Sequence, residues 1–340
     1  KDQTYLGLGY EYKLRWFEDR DPDNSDHSHR FSLDLTHDFN ENMSVDLGDE
    51  FVIAQEPEVL EPTGASRLRS NMDAIHNRAH VNFTTQLSRT YSLMAGYRND
   101  LYNYDQSGAG SFSALLDRVE HRVTANLRSQ LRPGTTGILG YQYRVVDYTS
   151  DDSLTFGPYL NPEVRNSDSH YVYAGFDHSF TPELLGSLRA GAQFTSYDNV
   201  AAGVDDSTTS PYIDANLSYA YAKGSNIALG LRHERNQTDI AQVGGSLILD
   251  QETTSAYASV SHQLTAKLTA NFVGMYANSS FGDSLADTSD NFWSLGFNMS
   301  YQINQYLLAE TGYNFDDLDS DLGNRSFDRN RVYLGLKASY

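Results

Sequence analysis

Hydrophobic and polar positions alternate along almost the whole chain, and the alternation is phrased. A run of period two, a short polar turn and a second run of period two return roughly every 40–50 residues. The phrase reads FSLDLTHDFNENMSVDL, HVNFTTQLSRTYSLMAGY, VTANLRSQLRPGTTGILGY, YAGFDHSFTPELLGSLRAG, NLSYAYAKGSNIALGL, ASVSHQLTAKLTANFVG and LGFNMSYQINQYLLAETGY. Each copy is a β-hairpin with its apolar residues on one face. The copies run from end to end, so residues 1–340 are read as a single all-β domain. So large a sheet, apolar on one face and polar on the other, is best closed into a barrel. A closed barrel whose apolar face points outward is the membrane-spanning kind.

Seven short turns are predicted, at 40–42, 88–90, 132–134, 181–183, 223–225, 265–267 and 304–305. Longer polar segments lie near 19–27, 55–72, 105–116, 151–167, 198–210, 237–252, 283–290 and 317–328. Eight long and seven short connections alternate and join sixteen antiparallel, up-and-down strands. Fourteen is the second count, because 240–255 is weakly bounded. An even count returns both termini to the short-turn side, which is periplasmic in outer-membrane barrels, and leaves the longer loops extracellular. All eight prolines fall in turns, loops or strand starts, as a ladder paired on both sides requires.

Parity assigns the lipid face: Phe31, Leu33 and Leu35; Val81, Phe83 and Leu87; Val123, Ala125 and Leu127; Ile227, Leu229 and Leu231; Trp293, Leu295, Phe297 and Met299. A slip of one residue would place the intervening Ser, Arg and Asp in hydrocarbon, at roughly 2–4 kcal/mol per midplane Arg or Lys. Phe39, Tyr91, Phe180, Tyr221, Tyr301 and Tyr340 keep the same parity beside the short turns and read as an aromatic girdle. A sparser outer girdle is Trp16, Tyr276 and Phe315.

Composition narrows this picture without changing it. Mean hydropathy is −0.54 and no stretch reaches the ~20 apolar residues of a membrane helix. A barrel strand shows lipid only every second residue, so a hydrophilic average is expected. Cysteine is absent, which removes disulfides, thiol catalysis and thiolate metal sites. A net charge of −20 argues against a nucleic-acid partner. The chain opens directly on a strand, QTYLGLGYEYKLRWF, as expected of a mature or trimmed form.

The C-terminal DRNRVYLGLKASY carries Val332, Leu334, Leu336, Ala338 and Tyr340 on one face. It resembles the terminal strand of bacterial outer-membrane proteins that the barrel-assembly machinery reads. With the hairpin phrasing and the LxAxxGY-like strand openings, it is similar to the outer-membrane β-barrel porin family of the "porin 2" type. The resemblance covers most of the chain. It implies a Gram-negative outer membrane and a transport class, with no substrate. Members are mostly uncharacterised, and some sit among exopolysaccharide or exosortase-linked functions.

The opposite parity faces the lumen. Its basic members include Arg15, Arg30, Arg78, Arg98, Arg118, Arg122, Arg144, Arg189 and Arg232. Its acidic members include Asp34, Asp46, Glu50, Asp100, Glu120, Asp214, Glu234 and Glu310. The arginines are denser in the first half, so one wall should be the more positive and screen solutes by charge. The same residues also fit simple cross-strand pairing that stiffens the wall. Small residues such as Gly96, Gly140, Gly175, Gly191, Gly230 and Gly312 leave room for solvent or for an inserted partner.

No loop looks long enough to fold inward and narrow the pore; the longest spans 55–72. Either the pore is wide, or several loops meet over it, or another polypeptide fills it. Acid collects in the long loops: Asp19, Asp21, Asp23 and Asp26; Glu56, Glu58 and Glu61; Asp151 and Asp152; Asp205 and Asp206; Asp316, Asp317, Asp319 and Asp321. Asp317, Asp319, Asp321 and Gly323 resemble a calcium loop, but the glycine is one place late and the distal Glu is missing. His76 and His80 share a strand face about 13 Å apart, too far for one metal. His27 and His29 lack a placed acid, and no catalytic set assembles at a natural register.

The expectation is therefore a non-enzymatic pore for hydrophilic solutes or an exported glycan, without a cofactor. Its partners are outer-membrane lipid and lipopolysaccharide, and the barrel-assembly machinery during biogenesis. The rival is a docking barrel whose lumen or periplasmic face holds another envelope protein.

Overall fold

The computed structural model describes residues 3–16, 24–54, 73–201, 203–281 and 288–338. Period-two alternation becomes strand wherever it was read. The strands are β1 (Thr4–Trp16), β2 (Ser25–Asn40), β3 (Met43–Ala54), β4 (Ala74–Gln86), β5 (Tyr91–Tyr104), β6 (Arg118–Arg132), β7 (Thr135–Tyr148), β8 (Ser167–Ser179) and β9 (Leu184–Tyr197). They continue as β10 (Ser207–Ala222), β11 (Ser225–Asn236), β12 (Gln242–Val243), β13 (Ser246–Leu247), β14 (Gln251–Gln263), β15 (Leu268–Ser280), β16 (Ser289–Asn304), β17 (Leu307–Ser320) and β18 (Phe327–Ala338).

Sixteen of these form one antiparallel up-and-down sheet in chain order, and β12 with β13 makes a small hairpin of its own. The count agrees with the larger of the two expected, and the seven short turns fall at one end. The stretch 240–255 resolves into the end of a loop, the small hairpin and the start of β14. Several boundaries differ: β2 begins at Ser25 and β10 at Ser207, so 25–27 and 207–210 are strand. β17 runs to Ser320, so 317–320 is strand, and the last long loop is 321–326. Leu318 explains it: facing inward opposite Phe292 and Phe327, it packs in one apolar cluster with Phe292 and Met275 and extends the ladder.

Register confirms the two faces. Phe31, Leu33 and Leu35 stand opposite Tyr10, Leu8 and Leu6, and Phe297 opposite Phe272 and Tyr313. Directly opposed residues in an antiparallel pair share a face, so the apolar rows continue from strand to strand. Replacing Leu229, on the outward face of β11, with Arg should cost roughly 2–4 kcal/mol of folding stability. Folded yield in lipid vesicles, read from heat-modifiable gel mobility, measures it; full-yield folding of L229R would put that face away from lipid.

The outward face carries a signal that parity alone did not reveal. Eight of the ten histidines lie on it, in two bands. Toward the loop end, Nδ1 of His27, His29, His121 and His170 lies 2.8–3.0 Å from the hydroxyls of Tyr12, Tyr10, Tyr97 and Tyr141, and His233 lies 2.7 Å from Thr254. Toward the turn end, His37, His178 and His262 are each 2.7 Å from Thr4, Thr135 and Tyr221. Each is a cross-strand pair. Polar ring edges of this kind belong where hydrocarbon gives way to headgroups, so the bands bound the apolar belt on both sides.

β1 and β18 are the two edges of the sheet, with no hydrogen-bonded ladder between them. Lys337 on β18 reaches within 3.8 Å of Glu11 on β1. The missing neighbour shows in exposure: Leu8 and Leu334 are 78% and 85% exposed, against 43% for Leu229 and 37% for Leu295. Hydrocarbon tolerates no open edge, so insertion should zip this seam. The cysteine-free chain allows a direct check. E11C/K337C should crosslink in the lipid-inserted barrel and run as a compact species without reductant; free thiols under oxidant would mean that the seam stays apart.

On the inward face, tyrosine rings lie over glycines on the next strand: Tyr173 over Gly140, Tyr257 over Gly230 and Tyr333 over Gly312. The glycines therefore accommodate wall-lining rings rather than leaving open space. Gly175 and Gly191 differ in kind. A Cβ there would strike the backbone of Leu188 and of Val172, so the close approach of β8 and β9 requires glycine at both.

Candidate functional site: the charged lumen and the loops above it

The inward register gathers the expected lumen residues on one surface, largely as ion pairs. Arg30 meets Glu50 at 2.9 Å. Arg78 and Arg98 share Asp100 at 3.1 and 2.7 Å, and Arg118 meets Glu120 at 2.8 Å. Arg189 and Arg128 share Asp177 at 2.7 and 2.9 Å. Arg232 meets Asp214 at 2.7 Å and Glu234 at 3.8 Å, and Asp46 meets His80 at 3.0 Å. Asp34 faces inward between Gly7 and Gly48, and Glu310 stands opposite Gly335. Arg15 has its backbone opposite Asp26, and its side chain lies outside the described residues. The more exposed pairs, such as Arg30–Glu50 and Asp46–His80, are each worth about 1 kcal/mol or less, so they set shape more than stability.

At the loop end several of the described loops converge, around a segment whose length did not suggest it. Residues 237–250 leave β11, turn at Gly244 and Gly245 in the left-handed region (φ 58° and 88°), and return to β14. Gln237, Thr238, Asp239, Ile240, Ile248 and Asp250 are buried. Ile240 and Ile248 form an apolar cluster with Phe281, against which Val243 and Leu322 pack. Of the three alternatives for the mouth, the described loops follow the second: several meet over the lumen with 237–250 at their centre. The 55–72 loop lies outside the described residues, as do Asp19, Asp21, Asp23, Glu56, Glu58, Glu61 and Tyr340.

Buried arginines hold these loops together. Arg165, 1% exposed, ends a short 3-10 helix (Pro162–Arg165) in the loop between β7 and β8. It donates to the carbonyls of Ile248 (3.1 Å), Thr238 (3.0 Å), Leu115 (3.3 Å) and Ile240. Leu115 belongs to α1 (Phe112–Leu116), capped by Ser111, so one guanidinium ties three loops together. Burial pulls the Arg165 pKa down from its ordinary value, since its direct partners are carbonyls rather than carboxylates. Arg325 binds Asp239 at 2.6 Å and Asp290 at 2.8 Å. Burial opposes that cation, yet the two carboxylates outweigh it and raise its pKa. Burial likewise pushes up the Asp117 carboxyl, which accepts the backbone N–H of Tyr104 at 2.7 Å.

From the wall, Arg144 donates to the Arg235 carbonyl at 3.0 Å, and Gln193 brackets Arg235 through both amide atoms at 2.9 and 3.3 Å. Arg144 and Arg235 sit four strands apart in the sheet, so the lumen is bridged here. No sequence pattern singles out Arg165 or Arg325, because their partners are 35–86 residues away.

The acidic run does not gather as a calcium loop would. Asp317 and Asp319 lie on the outward face of β17, opposite Trp293 and Asn291. The Asp321 carboxylate accepts the Ser289 N–H and hydroxyl at 2.9 and 3.1 Å. Asp316, expected at the rim, faces inward and binds Arg329 at 2.9 Å. Among the described residues no three His, Asp or Glu converge as metal ligands would.

A sixteen-stranded antiparallel sheet, apolar outside, charged inside and roofed at one end by loops, defines an outer-membrane β-barrel. The chain belongs to the family described as "Putative beta-barrel porin 2", which matches residues 12–340. That places it in the bacterial outer membrane. Solved structures with a similar fold include the copper transporter OprC, at 11% identity and a TM-score of 0.51, covering 99% of this chain and 63% of that one. The FrpB iron transporter from Neisseria meningitidis (F5-1 variant) is similar at 9% identity and a TM-score of 0.53, covering 96% and 61%. BauA, the ferric preacinetobactin receptor from Acinetobacter baumannii, is similar at 13% identity and a TM-score of 0.51, covering 98% and 65%. The chain spans under two thirds of the length of these proteins, and identities this low speak to fold alone. No curated protein matches the sequence.

Proposed function

We propose that the protein is an outer-membrane porin whose charged lumen passes hydrophilic solutes or an exported glycan passively, through a mouth gated by residues 237–250. The observation that carries the reading is the lumen itself: an inner wall rich in arginines and carboxylates, with loops converging over one end. In this reading both termini and the short turns are periplasmic and the roofed end is extracellular. The barrel-assembly machinery reads β18. The acidic extracellular loops share divalent cations with lipopolysaccharide phosphates. No enzymatic step, metal or cofactor is invoked.

The roof also favours a second reading, a docking barrel that conducts little and holds another envelope protein at its turn end. Single-channel recording of the purified barrel in a planar bilayer separates the two. Discrete ohmic openings, with a reversal potential in a salt gradient, support the porin. A correctly folded barrel that stays silent at all voltages overturns it.

A further inference from the structure

Arg98, Arg122 and Arg144 stand directly opposite one another across β5, β6 and β7, all facing inward. Side by side, three guanidiniums repel, and such a row persists where counter-charge is supplied. The nearby carboxylates are largely committed. Asp100 takes Arg98 through two bonds of 2.7 and 2.8 Å and Arg78 through a third, and Glu120 takes Arg118. Arg98 is thereby satisfied, and the other two are not.

Arg122 Nε and Arg144 Nε are buried without a hydrogen-bond partner. Arg144 is 3% exposed, and its bond to the Arg235 carbonyl leaves that Nε–H free. Two further buried groups of the same neighbourhood are also unbonded, the Tyr171 hydroxyl and Asn236 Nδ2. The Tyr171 ring lies 5.6 Å from the Arg144 guanidinium carbon, and Asn236 follows the residue whose carbonyl Arg144 holds. All four can donate, and two carry charge. Glu120 and Glu234 face the group from β6 and β11 and temper its charge, but as acceptors they do not reach these atoms.

Buried donors without acceptors each cost about 1–3 kcal/mol, more when charged, so the cluster is poised for an acceptor-rich ligand. We propose that Arg122 and Arg144, with Tyr171 and Asn236, form an oxyanion-binding site in the lumen beneath the 237–250 segment. Its ligand is the carboxylate or phosphate group of a solute arriving from the turn end. A guanidinium pair presents the planar, forked donors that such groups accept in two places at once. The site rests on the porin reading only for its role, as the point where an acidic solute pauses in transit; the binding itself does not depend on conduction.

Calorimetric titration of the folded, detergent-solubilised barrel tests it, with inorganic phosphate, glucuronate and neutral glucose as probes. One saturable site is expected for phosphate or glucuronate and none for glucose, and the two arms identify which oxyanion is preferred. R122Q should weaken binding about tenfold or more, while R30Q, which removes an arginine already paired with Glu50, should change it by less than about twofold. R122Q carries the test because Arg144 also holds Arg235 in place, and heat-modifiable mobility reports whether each variant is folded. Absence of saturable binding, or equal weakening in R122Q and R30Q, overturns the site. A barrel that conducts without binding overturns the site alone, and one that binds without conducting overturns the porin reading alone.

Discussion

Excising residues 238–249 and rejoining β11 to β14 through a short Gly-Ser link should raise single-channel conductance about tenfold or more. The segment sits at the centre of the roof, with Ile240 and Ile248 buried against Phe281 and with Asp239 in the grip of Arg325. The sixteen paired strands do not depend on it, since β11 and β14 already pair from Asn226 to Gln251. Heat-modifiable mobility should therefore be unchanged while the pore opens. Unaltered conductance in a folded deletion would place the constriction elsewhere in the lumen.

Arg165→Met should produce the next largest effect, on the roof rather than the barrel. It strips four buried carbonyls of their donor and removes a group common to three loops. A buried carbonyl left without a donor costs roughly 1–3 kcal/mol. Together these losses exceed what a single loop cluster holds in reserve, so the roof should open locally while the sheet persists. Limited proteolysis should then cut within the loops of R165M at least about tenfold faster than in the parent, with the barrel melting temperature unmoved. Arg165→Lys should rescue only in part, because an ammonium is a compact point charge that cannot span four acceptors as a planar fork does. Equal cleavage in parent and R165M would remove the clamp from this account.

How far the chain alone reaches is clear from particular residues. The parity of Phe31, Leu33 and Leu35 fixes a face without reference to anything distant, because side-chain period in a strand is a local property. The same holds for the inward arginines and for the short turns. Three features did not follow from local reading. Leu318 keeps β17 in the sheet beyond an acidic run that reads as loop, through contacts with Phe292 and Phe327. The eight outward histidines become two bands only when register places each beside its hydroxyl. A count of histidines by parity and strand position would have found the bands, though not the bonds.

The roof is the instructive case. By length, 237–250 does not stand out beside 55–72. What drives it inward is a modest apolar content, Ile240 and Ile248, combined with donors supplied from other loops. Fold class, strand number, the two faces and the charge of the lumen were determined by the sequence by itself, since each follows from alternation, turn residues and the rule that a membrane-spanning sheet must leave no edge unpaired. Which arginines are neutralised, which donors stay unsatisfied and which loop packs inward were decided only by the tertiary structure. They depend on contacts between residues far apart in the chain, and no local pattern encodes the distance between Arg165 and the carbonyls it binds.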